Sequence, residues 1–384
     1  MNHVFFISLR RISFPTTMAT THKELRTVSV FSGAGGLDIG AIMAGAQVIW
    51  ANDMMEEACQ TYRVNIGNHI VCGDINEKMR ELHGMEDIAL VIGGPPCQGF
   101  SVAGKMDAND KRSQLIWSYL SVLDMLKPQA FVMENVKALG TLKKWEATRN
   151  MLLHSMRKLG YAVNFMLLNA KDYDVPQARE RIFFVGFKGN PSLTPDLAKM
   201  MLPYRKPALT LREVLLTLDR AGTGNNRDVC RAKITLARNP VLRKTPFAGM
   251  IFNGLGRPLR LDSFSPTLPA SMGGNKTPII DENELYNQAK PWVETYFEEL
   301  TRDSSAPDTT TVPGFLRRIT VAEAALIQTF PRNYLFQGSQ SVKYTQIGNA
   351  VPCNLAKAVV QMVADVLYGE RKIIGACNEF CFAD

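Results

Sequence analysis

A cysteine in a stiff loop is the first residue of this sequence that could do chemistry. Cys97 lies in the stretch GGPPCQGFS at 93–101, directly after the apolar run IALVI. Two prolines restrict the backbone ahead of the thiol, and α/β sheets place their sites at the carboxyl ends of parallel strands. A loop that leads into a helix favours the thiolate. Cys97 is therefore predicted to be a nucleophile, with a structural thiol as the alternative.

The other cysteines and the histidines narrow this chemistry. The five histidines form no motif that would pair with Cys97, which disfavours a Cys/His hydrolase. The seven cysteines are scattered, with no CxxC pair and no Cys/His cluster, so we predict neither a disulfide framework nor a metal site. A reducing intracellular setting fits this usage best. From the cysteine alone, a redox or hydrolytic enzyme stays open.

A carboxylate and two arginines are the next candidates. Glu134 lies in MENV at the end of an apolar run, where burial would raise its pKa and suit it to general acid catalysis. Arg179 and Arg181 alternate at the start of the strand in QARERIFFVGF and could bind a phosphate or a base carbonyl. A helix-capping carboxylate and ordinary surface charge are the simpler alternatives.

The glycine turn FSGAGGLDIG at 31–40 could hold a cofactor. A strand that ends in Gly33, Gly35 and Gly36 before a helix lets backbone amides approach a ligand closely. Position 38 is Asp where a dinucleotide-binding motif needs a third glycine. Asp53 ends the second strand, where a carboxylate can accept bonds from ribose hydroxyls. The pattern predicts an adenosine-type cofactor without a pyrophosphate, although such a turn can also serve only to pack a helix.

The elements that must position these residues alternate between strands and helices over the first two hundred residues. Apolar strands separated by helical patterns predict an α/β protein with a doubly wound sheet. The rhythm is lost after about residue 188 and returns near residue 314. We therefore predict a sheet domain made of 25–187 plus 314–370, a smaller irregular domain over 188–313, a disordered N-terminal extension over 1–24, and a C-terminal tail over 371–384.

Charge is concentrated in the irregular segment. The chain has 384 residues, with 44 Lys and Arg against 36 Asp and Glu, a net charge of +8. Residues 199–276 alone hold 14 Lys and Arg against 4 Asp and Glu, whereas 281–308 hold 2 against 8. A basic stretch rich in Gly and Asn turns suits contact with nucleic-acid phosphates and bases, although a solvated surface would look similar. No uninterrupted apolar run is long enough to predict a membrane span.

The order of these motifs resembles a known family. FSGAGG, GGPPCQGFS, ENV, QARERI, a long basic insert and QIGNAVP at 346–352 follow one another as in the DNA (cytosine-5)-methyltransferases of prokaryotic restriction-modification systems. The resemblance runs from about Thr27 to Leu367. It implies a Rossmann-like domain dependent on S-adenosylmethionine and a target-recognition domain in the insert.

The resemblance also implies a mechanism on a cytosine flipped out of duplex DNA. The thiolate of Cys97 would add to C6, Glu134 would bond the N3/N4 edge and protonate N3, and Arg181 would hold the O2 side. C5 would then accept a methyl group. A water-mediated base would remove the C5 proton before the thiol leaves.

Further residues are assigned by the resemblance. Asn275 and Lys276, with two arginines of the insert, are expected to contact bases or phosphates. Residues Ser101 and Lys105 would belong to the family's catalytic loop. The complete expected sets are Cys97, Glu134, Arg179 and Arg181 for catalysis; Phe31, Gly33, Gly35, Gly36, Leu37, Asp53, Met54, Asp74, Ile75, Pro96 and Asn349 for S-adenosylmethionine; and Gln98, Ser101, Lys105, Arg257, Arg260, Asn275 and Lys276 for DNA.

Two related activities compete with this interpretation. A tRNA cytosine-5 methyltransferase shares most catalytic motifs, but that group carries a Cys-Phe-Thr tripeptide that this sequence lacks. A catalytically silent DNA-binding regulator is disfavoured because the nucleophile, the acid and the cofactor turn are all present. We therefore expect a cytoplasmic, nucleoid-associated enzyme that acts on double-stranded DNA, with no membrane partner. It would be a monomer, and any cognate restriction endonuclease would act separately.

Overall fold

The computed structural model describes residues 24–96, 111–303 and 305–375, with the backbone alone for 111–114. A seven-stranded sheet forms its centre, in the strand order β3-β2-β1-β4-β5-β8-β6. The strands of this sheet are β1 (Leu25–Val30), β2 (Ala46–Asp53), β3 (Ile70–Cys72), β4 (Leu90–Gly93), β5 (Ala130–Val136), β6 (Tyr161–Asn169) and β8 (Glu180–Lys188), and a short strand β7 (Gln177–Ala178) precedes β8.

Helices cover both faces of the sheet, as the apolar strands predict. The helices of this part are α1 (Gly36–Met43), α2 (Glu56–Asn65), α3 (Ile75–Lys78), α4 (Lys111–Leu126), α5 (Lys137–Thr141), α6 (Glu146–Lys158), α7 (Leu197–Met201) and α14 (Cys353–Leu367). Residues of α1, α7 and α14 fill the core on one face. Residues of α4 and α6 fill the core on the other. Burial on both faces explains why the strands carry almost no polar alternation.

One strand runs against the others. Strands β1 to β5 pair in parallel, whereas β8 is antiparallel to both β5 and β6. A parallel return needs a crossover of a dozen or more residues, and only residues 170–179 separate β6 from β8. The chain therefore turns back, which the sequence pattern did not reveal. The start of β8 consequently lies at the same sheet edge as the carboxyl end of β5.

The insert adds small sheets and short helices. These are α8 (Leu211–Leu215), β9 (Leu236–Val241), β10 (Met250–Phe252), β11 (Ser265–Pro266), β12 (Ile279–Asp281), α9 (Glu282–Asn287), α10 (Trp292–Arg302) and α11 (Ala306–Thr309). The insert is followed by β13 (Leu316–Arg318), α12 (Val321–Ile327) and α13 (Gln340–Asn349). Strands β9 and β10 pair with each other, β12 pairs with β13, and β11 pairs with β7 of the preceding domain.

Packing bears on the predicted domain limits. Leu197, Met200 and Met201 follow the limit at 188 but pack into the core beneath the main sheet. Leu259 and Leu268 share a cluster with residues of α1, α12 and α13. A separate apolar core lies among β9, β10, β12 and α10. The domain limits at 188 and 313 stay a prediction. Because residues shortly after 188 pack beneath the main sheet, these contacts favour an N-terminal limit later than 188 for the part of the insert that has its own core.

A long apolar helical stretch closes the fold. Gln340–Leu367 is long and apolar enough to cross a bilayer by length and composition, a test that core helices also pass. Pro352 divides it into α13 and α14, and most residues of α14 are buried. Its position against α1 is that of a core helix.

Gly40 sets how closely α1 and α14 approach. A Cβ at this position would lie 2.4 Å from Ala356 Cβ and 2.5 Å from the Cys353 carbonyl oxygen. We expect Gly40→Ala to lower the free energy of unfolding by about 1–3 kcal/mol, because the backbone of α14 must shift. Urea unfolding measures this. Gly314→Ala is the control, since a Cβ there meets nothing within 4 Å, and equal losses in both variants would contradict the packing argument.

Candidate active site

An ion pair lies at the sheet edge where β5 ends and β8 begins. Arg181 Nε is 2.9 Å from Glu134 Oε1, and the two side chains are 14% and 12% exposed. Arg181 stands opposite Val136 in the antiparallel register, two residues beyond Glu134. Burial raises the pKa of Glu134, and the charges of Arg181 and Arg179 oppose that rise. Burial therefore disfavours the ionised carboxylate, and its arginine neighbours favour it.

The loop that carries the cysteine begins beside this pair. Strand β4 ends at Gly93, and a Cβ on the next residue, Gly94, would stand 3.2 Å from Glu134 Oε2. Asn135 Nδ2 donates to the Pro95 carbonyl at 3.1 Å, which ties β5 to the same loop. Glycine at 94 leaves room for the carboxylate. Cys97, Gln98, Ser101 and Lys105 lie outside the described residues.

Arg179 is placed differently from Arg181. It is 1% exposed, and it donates to the carbonyl oxygens of Leu268 at 3.3 Å and Gly348 at 3.0 Å. Burial, together with the charge of Arg181, lowers the pKa of Arg179 to about 9. Its membership of the catalytic group remains a prediction. These contacts support a positioning role between the insert and the segment that ends α13.

Two buried glutamines that sequence reasoning missed reinforce this junction. Gln177 Nε2 donates to Gln328 Oε1 at 3.0 Å, and Gln177 Oε1 accepts from the Leu268 backbone at 3.0 Å. Gln328 Nε2 also donates to the Ile347 carbonyl at 2.7 Å. Gln177 precedes Arg179 by two residues. The alternation of polar side chains in QARER is therefore the sequence signal that could have identified Gln177 as a partner of this junction. Together these bonds hold the insert against the sheet edge where β8 begins.

The glycine turn and Asp53 form a second group at this edge. The Gly33 amide donates to Asp53 Oδ2 at 2.7 Å, and the Met55 amide donates to Oδ1 at 2.9 Å. Burial raises the pKa of Asp53, and these backbone bonds oppose the rise. Phe31 and Gly33 have φ of 56° and 54°, and a Cβ at Gly33 would meet nothing within 4 Å. The turn is thus open above Gly33.

The other predicted cofactor residues differ in exposure. Met54 is 74% exposed, and Asp74 caps α3 by accepting from the Asn76 amide at 2.9 Å. Asn349 is exposed and is the last residue of α13. The next residue, Ala350, lies close to the glycine turn, since a Cβ at Gly36 would be 3.1 Å from Ala350 Cβ. Leu37 and Ile75 are buried. Gly35 and Pro96 complete the set in the described chain.

A buried carboxylate beneath the turn was not singled out by the sequence. Asp38 is fully buried in the first turn of α1, and Tyr62 donates a hydrogen bond to its Oδ1 at 2.9 Å. The same hydroxyl lies 3.1 Å from His69 Nε2. Burial raises the pKa of Asp38 to about 7. Asp38, which occupies the position where a dinucleotide-binding motif needs glycine, is thus a buried residue that supports the turn.

The predicted DNA-contacting residues of the insert lie on two touching loops. The Gly256 amide donates to the Asn275 carbonyl at 2.8 Å, and a Cβ at Gly254 would lie 2.5 Å from Asn275 Cβ. Arg260, Asn275 and Lys276 are exposed and Arg257 is half-buried. The two loops that carry these four residues therefore touch, although none of the four belongs to the ion pair at the sheet edge.

Comparison with solved structures defines the class of protein. The structure of S. pombe Dnmt2 methyltransferase matches with a TM-score of 0.61 and 19% identity over 90% of this chain and 99% of that one. A prophage-encoded E. coli protein described as a DNA modification methyltransferase matches with a TM-score of 0.62 and 22% identity over 90% and 99%. At these identities the likeness shows the fold, which is that of a Rossmann-like methyltransferase.

Comparison of sequences defines the family. Residues 25–364 match the model of the C-5 cytosine-specific DNA methylases. The Type II methyltransferase M.NgoPII of Neisseria gonorrhoeae is 32% identical over 91% of this chain and 98% of its own length. The Type II methyltransferase M.FnuDI of Fusobacterium nucleatum is 30% identical over 91% and 97%. The chain belongs to the C-5 cytosine-specific DNA methylase family and is a DNA (cytosine-5) methyltransferase, as its motifs predicted.

Asp38 gives the stability of the fold a testable pH dependence. Its folded-state pKa of about 7 exceeds the ordinary value of 3.8, so the unfolded chain ionises it first as pH rises. Native stability is therefore lost between those two values. We expect Asp38→Asn, which stays neutral, to gain stability over the natural protein by up to roughly 2.5 kcal/mol on going from about pH 5 to about pH 8.

Urea unfolding of both proteins at the two pH values measures this gain. Asp308→Asn is the control, because Asp308 is exposed. A difference between Asp38→Asn and the natural protein that stays constant with pH would show that Asp38 is not held neutral in the folded state.

Proposed function

We propose that this enzyme transfers a methyl group from S-adenosylmethionine to C5 of a flipped-out cytosine, within a specific short duplex sequence, through a covalent Cys97–C6 adduct. The observation that carries the proposal is the Glu134–Arg181 ion pair beside the loop that leads into Cys97. An acid and a cation at one buried edge suit a pyrimidine ring, which must be made electron-rich before it can react at C5.

The residues of the glycine turn fit the cofactor. The open space above Gly33 would admit a ligand against the backbone, and the fixed carboxylate of Asp53 retains lone pairs for ribose hydroxyls. Asp74, Met54 and Asn349 would border the same opening. When bound, S-adenosylmethionine supplies the methyl group. Pro96, directly before Cys97, would bring the nucleophile's loop next to this position.

Glu134 and Arg181 would control protons on the base. As the Cys97 sulfur forms a bond to C6, protonated Glu134 donates its proton to N3, so that the electron pair can reside at C5. Arg181 would hold O2 and keep the Glu134 pKa from rising further. After C5 is methylated, a base removes the C5 proton, the C6–S bond breaks, and N3 returns its proton to Glu134. The protein ends the cycle unchanged.

The substrate and setting follow from the relatives and the charge. M.NgoPII and M.FnuDI are named Type II methyltransferases, which supports a restriction-modification role with any endonuclease acting as a separate protein. The basic insert supports a duplex DNA substrate, and its exposed Arg260, Asn275 and Lys276 would contact bases or phosphates. We propose a cytoplasmic enzyme at the nucleoid that works as a monomer. The likeness to Dnmt2 is one of fold and does not favour tRNA.

Bisulfite sequencing tests the activity directly. A mixed-sequence plasmid incubated with the protein and S-adenosylmethionine should show protected cytosines in one recurring short context. The same plasmid incubated without protein is the control. A uniformly unprotected plasmid, with tRNA methylated in a parallel reaction, would overturn the proposal in favour of an RNA substrate.

The acid role of Glu134 is tested by Glu134→Gln. The amide cannot give a proton to N3, so we expect the turnover rate to fall about 10²- to 10⁴-fold while duplex binding persists. Glu180→Gln is the matched control, since Glu180 is the neighbouring carboxylate and pairs with Lys137 on the exposed side. Tritium transfer from labelled cofactor measures the rate. Near-normal turnover of Glu134→Gln would remove Glu134 from proton transfer.

A further inference from the structure

The carbonyl of Ala34 in the glycine turn has a hydrogen-bond donor that the sequence motifs do not reveal. Tyr334 lies 300 residues further along the chain, and its hydroxyl donates to the Ala34 carbonyl oxygen at 2.5 Å. Ala34 is 2% exposed and Tyr334 is 7% exposed. A Cβ at the next residue of the turn, Gly35, would stand 3.2 Å from the same hydroxyl oxygen. The phenol therefore lies directly beneath the turn.

Two side chains hold consecutive residues of this turn. Asp53 accepts from the Gly33 amide at 2.7 Å, and Tyr334 donates to the carbonyl of the following residue, Ala34. Neither β1 nor α1 includes Ala34, so its buried carbonyl needs a donor from outside these two elements. The tyrosine supplies that donor. The backbone above which the opening lies is thus fixed on one side by a carboxylate and on the other by a phenol.

The tyrosine is itself held in place. Its ring centre lies 4.9 Å from that of Phe330 and 5.2 Å from that of Phe336. The neighbouring residue, Leu335, is bonded twice to Asn65 of α2: its carbonyl accepts from Nδ2 at 3.0 Å, and its amide donates to Oδ1 at 2.8 Å. The hydroxyl of Tyr334 therefore approaches the turn from a fixed direction.

The hydroxyl is a donor across the physiological pH range. Burial raises the pKa of Tyr334 well above its ordinary value, and the nearby Cys353 and Asp38 raise this pKa further. A phenol that stays protonated has one O–H group to donate, and here the Ala34 carbonyl accepts it. The bond to the turn consequently persists under the conditions in which the enzyme works.

We propose that Tyr334 is a positioning residue for S-adenosylmethionine, whose hydroxyl fixes the Ala34 peptide and thereby the shape of the opening above Gly33. This inference rests on the proposed function, which places the cofactor in that opening. Tyr334 acts through the turn and not by touching the cofactor. A turn that is fixed in advance does not have to be ordered on binding, which strengthens the binding of the ligand.

The variant Tyr334→Phe tests the inference, because it removes the hydroxyl and keeps the ring. Isothermal titration calorimetry of the full chain with S-adenosylmethionine measures the affinity in the absence of DNA. We expect this affinity to fall about 3- to 10-fold, the range that corresponds to the loss of one buried hydrogen bond. In methylation kinetics, the KM for S-adenosylmethionine should rise by a similar factor. The kcat at saturating cofactor and the KM for DNA should stay unchanged.

Tyr344→Phe is the matched control. Tyr344 is also buried, and its hydroxyl also donates to a backbone carbonyl, that of Ile319, at 2.5 Å. The same atom and the same kind of bond are lost, but the glycine turn keeps its donor. The control should therefore bind S-adenosylmethionine as the natural protein does, and melting curves compare the stability lost in the two variants. Equal falls in cofactor affinity in both variants, or no fall in Tyr334→Phe, would overturn the positioning role.

Methylation of DNA by the natural protein separates this inference from the proposed function. A natural protein that binds S-adenosylmethionine and methylates DNA, with the same cofactor affinity in Tyr334→Phe, would refute the role of Tyr334 alone. Weaker cofactor binding in Tyr334→Phe, with no methylation of DNA by the natural protein, would refute the proposed activity alone. No binding of S-adenosylmethionine by the natural protein would overturn both.

Discussion

The antiparallel pairing of β8 with β5 is the constraint on which the Glu134–Arg181 ion pair at the sheet edge depends. In a wholly parallel sheet, Arg181 would begin its strand at the edge opposite to the carboxyl end of β5. The reversed direction instead places it opposite Val136, within 2.9 Å of Glu134. A strand start and a strand end thus supply the two charges of one ion pair. The short connection after β6 enforces this reversal, since it leaves no room for a crossover helix.

The same edge is joined to the insert by buried polar side chains. Burying the guanidinium of Arg179 and the amides of Gln177 and Gln328 is unfavourable unless their polar groups find partners. Their partners are largely backbone carbonyls from the insert and from the end of α13. Satisfying these groups therefore requires the three segments to meet in one arrangement. The insert and the sheet edge with the Glu134–Arg181 pair are in this way held in a common frame.

The cations of this protein fall into two groups that differ in burial and in their partners. Cations near the ion pair are buried and bonded, which lowers the pKa of Arg179 and moderates that of Glu134. Exposed cations of the insert such as Arg238, Arg243 and Lys244 have no carboxylate partner among the described residues, whereas Arg212 pairs with Asp262. The first kind shifts the pKa of neighbouring groups in a low-dielectric site, and the second produces a positive potential that extends further from the surface. The cations that contribute to the net charge of +8 thus have two distinct electrostatic effects.

The sequence by itself determined the local elements and the family. The alternation of strands and helices and the end of the second strand at Asp53 were predicted as observed, because apolar runs and helical periodicity are local properties. Glu134 and Arg181 were recognised as candidates because residue types and motif order suffice for that. Only the tertiary structure decided that they pair, that Arg179 bonds carbonyls instead, and that Asp38 is a buried acid. Those outcomes depend on strand direction and on which groups lose water, and neither is encoded in spacing along the chain.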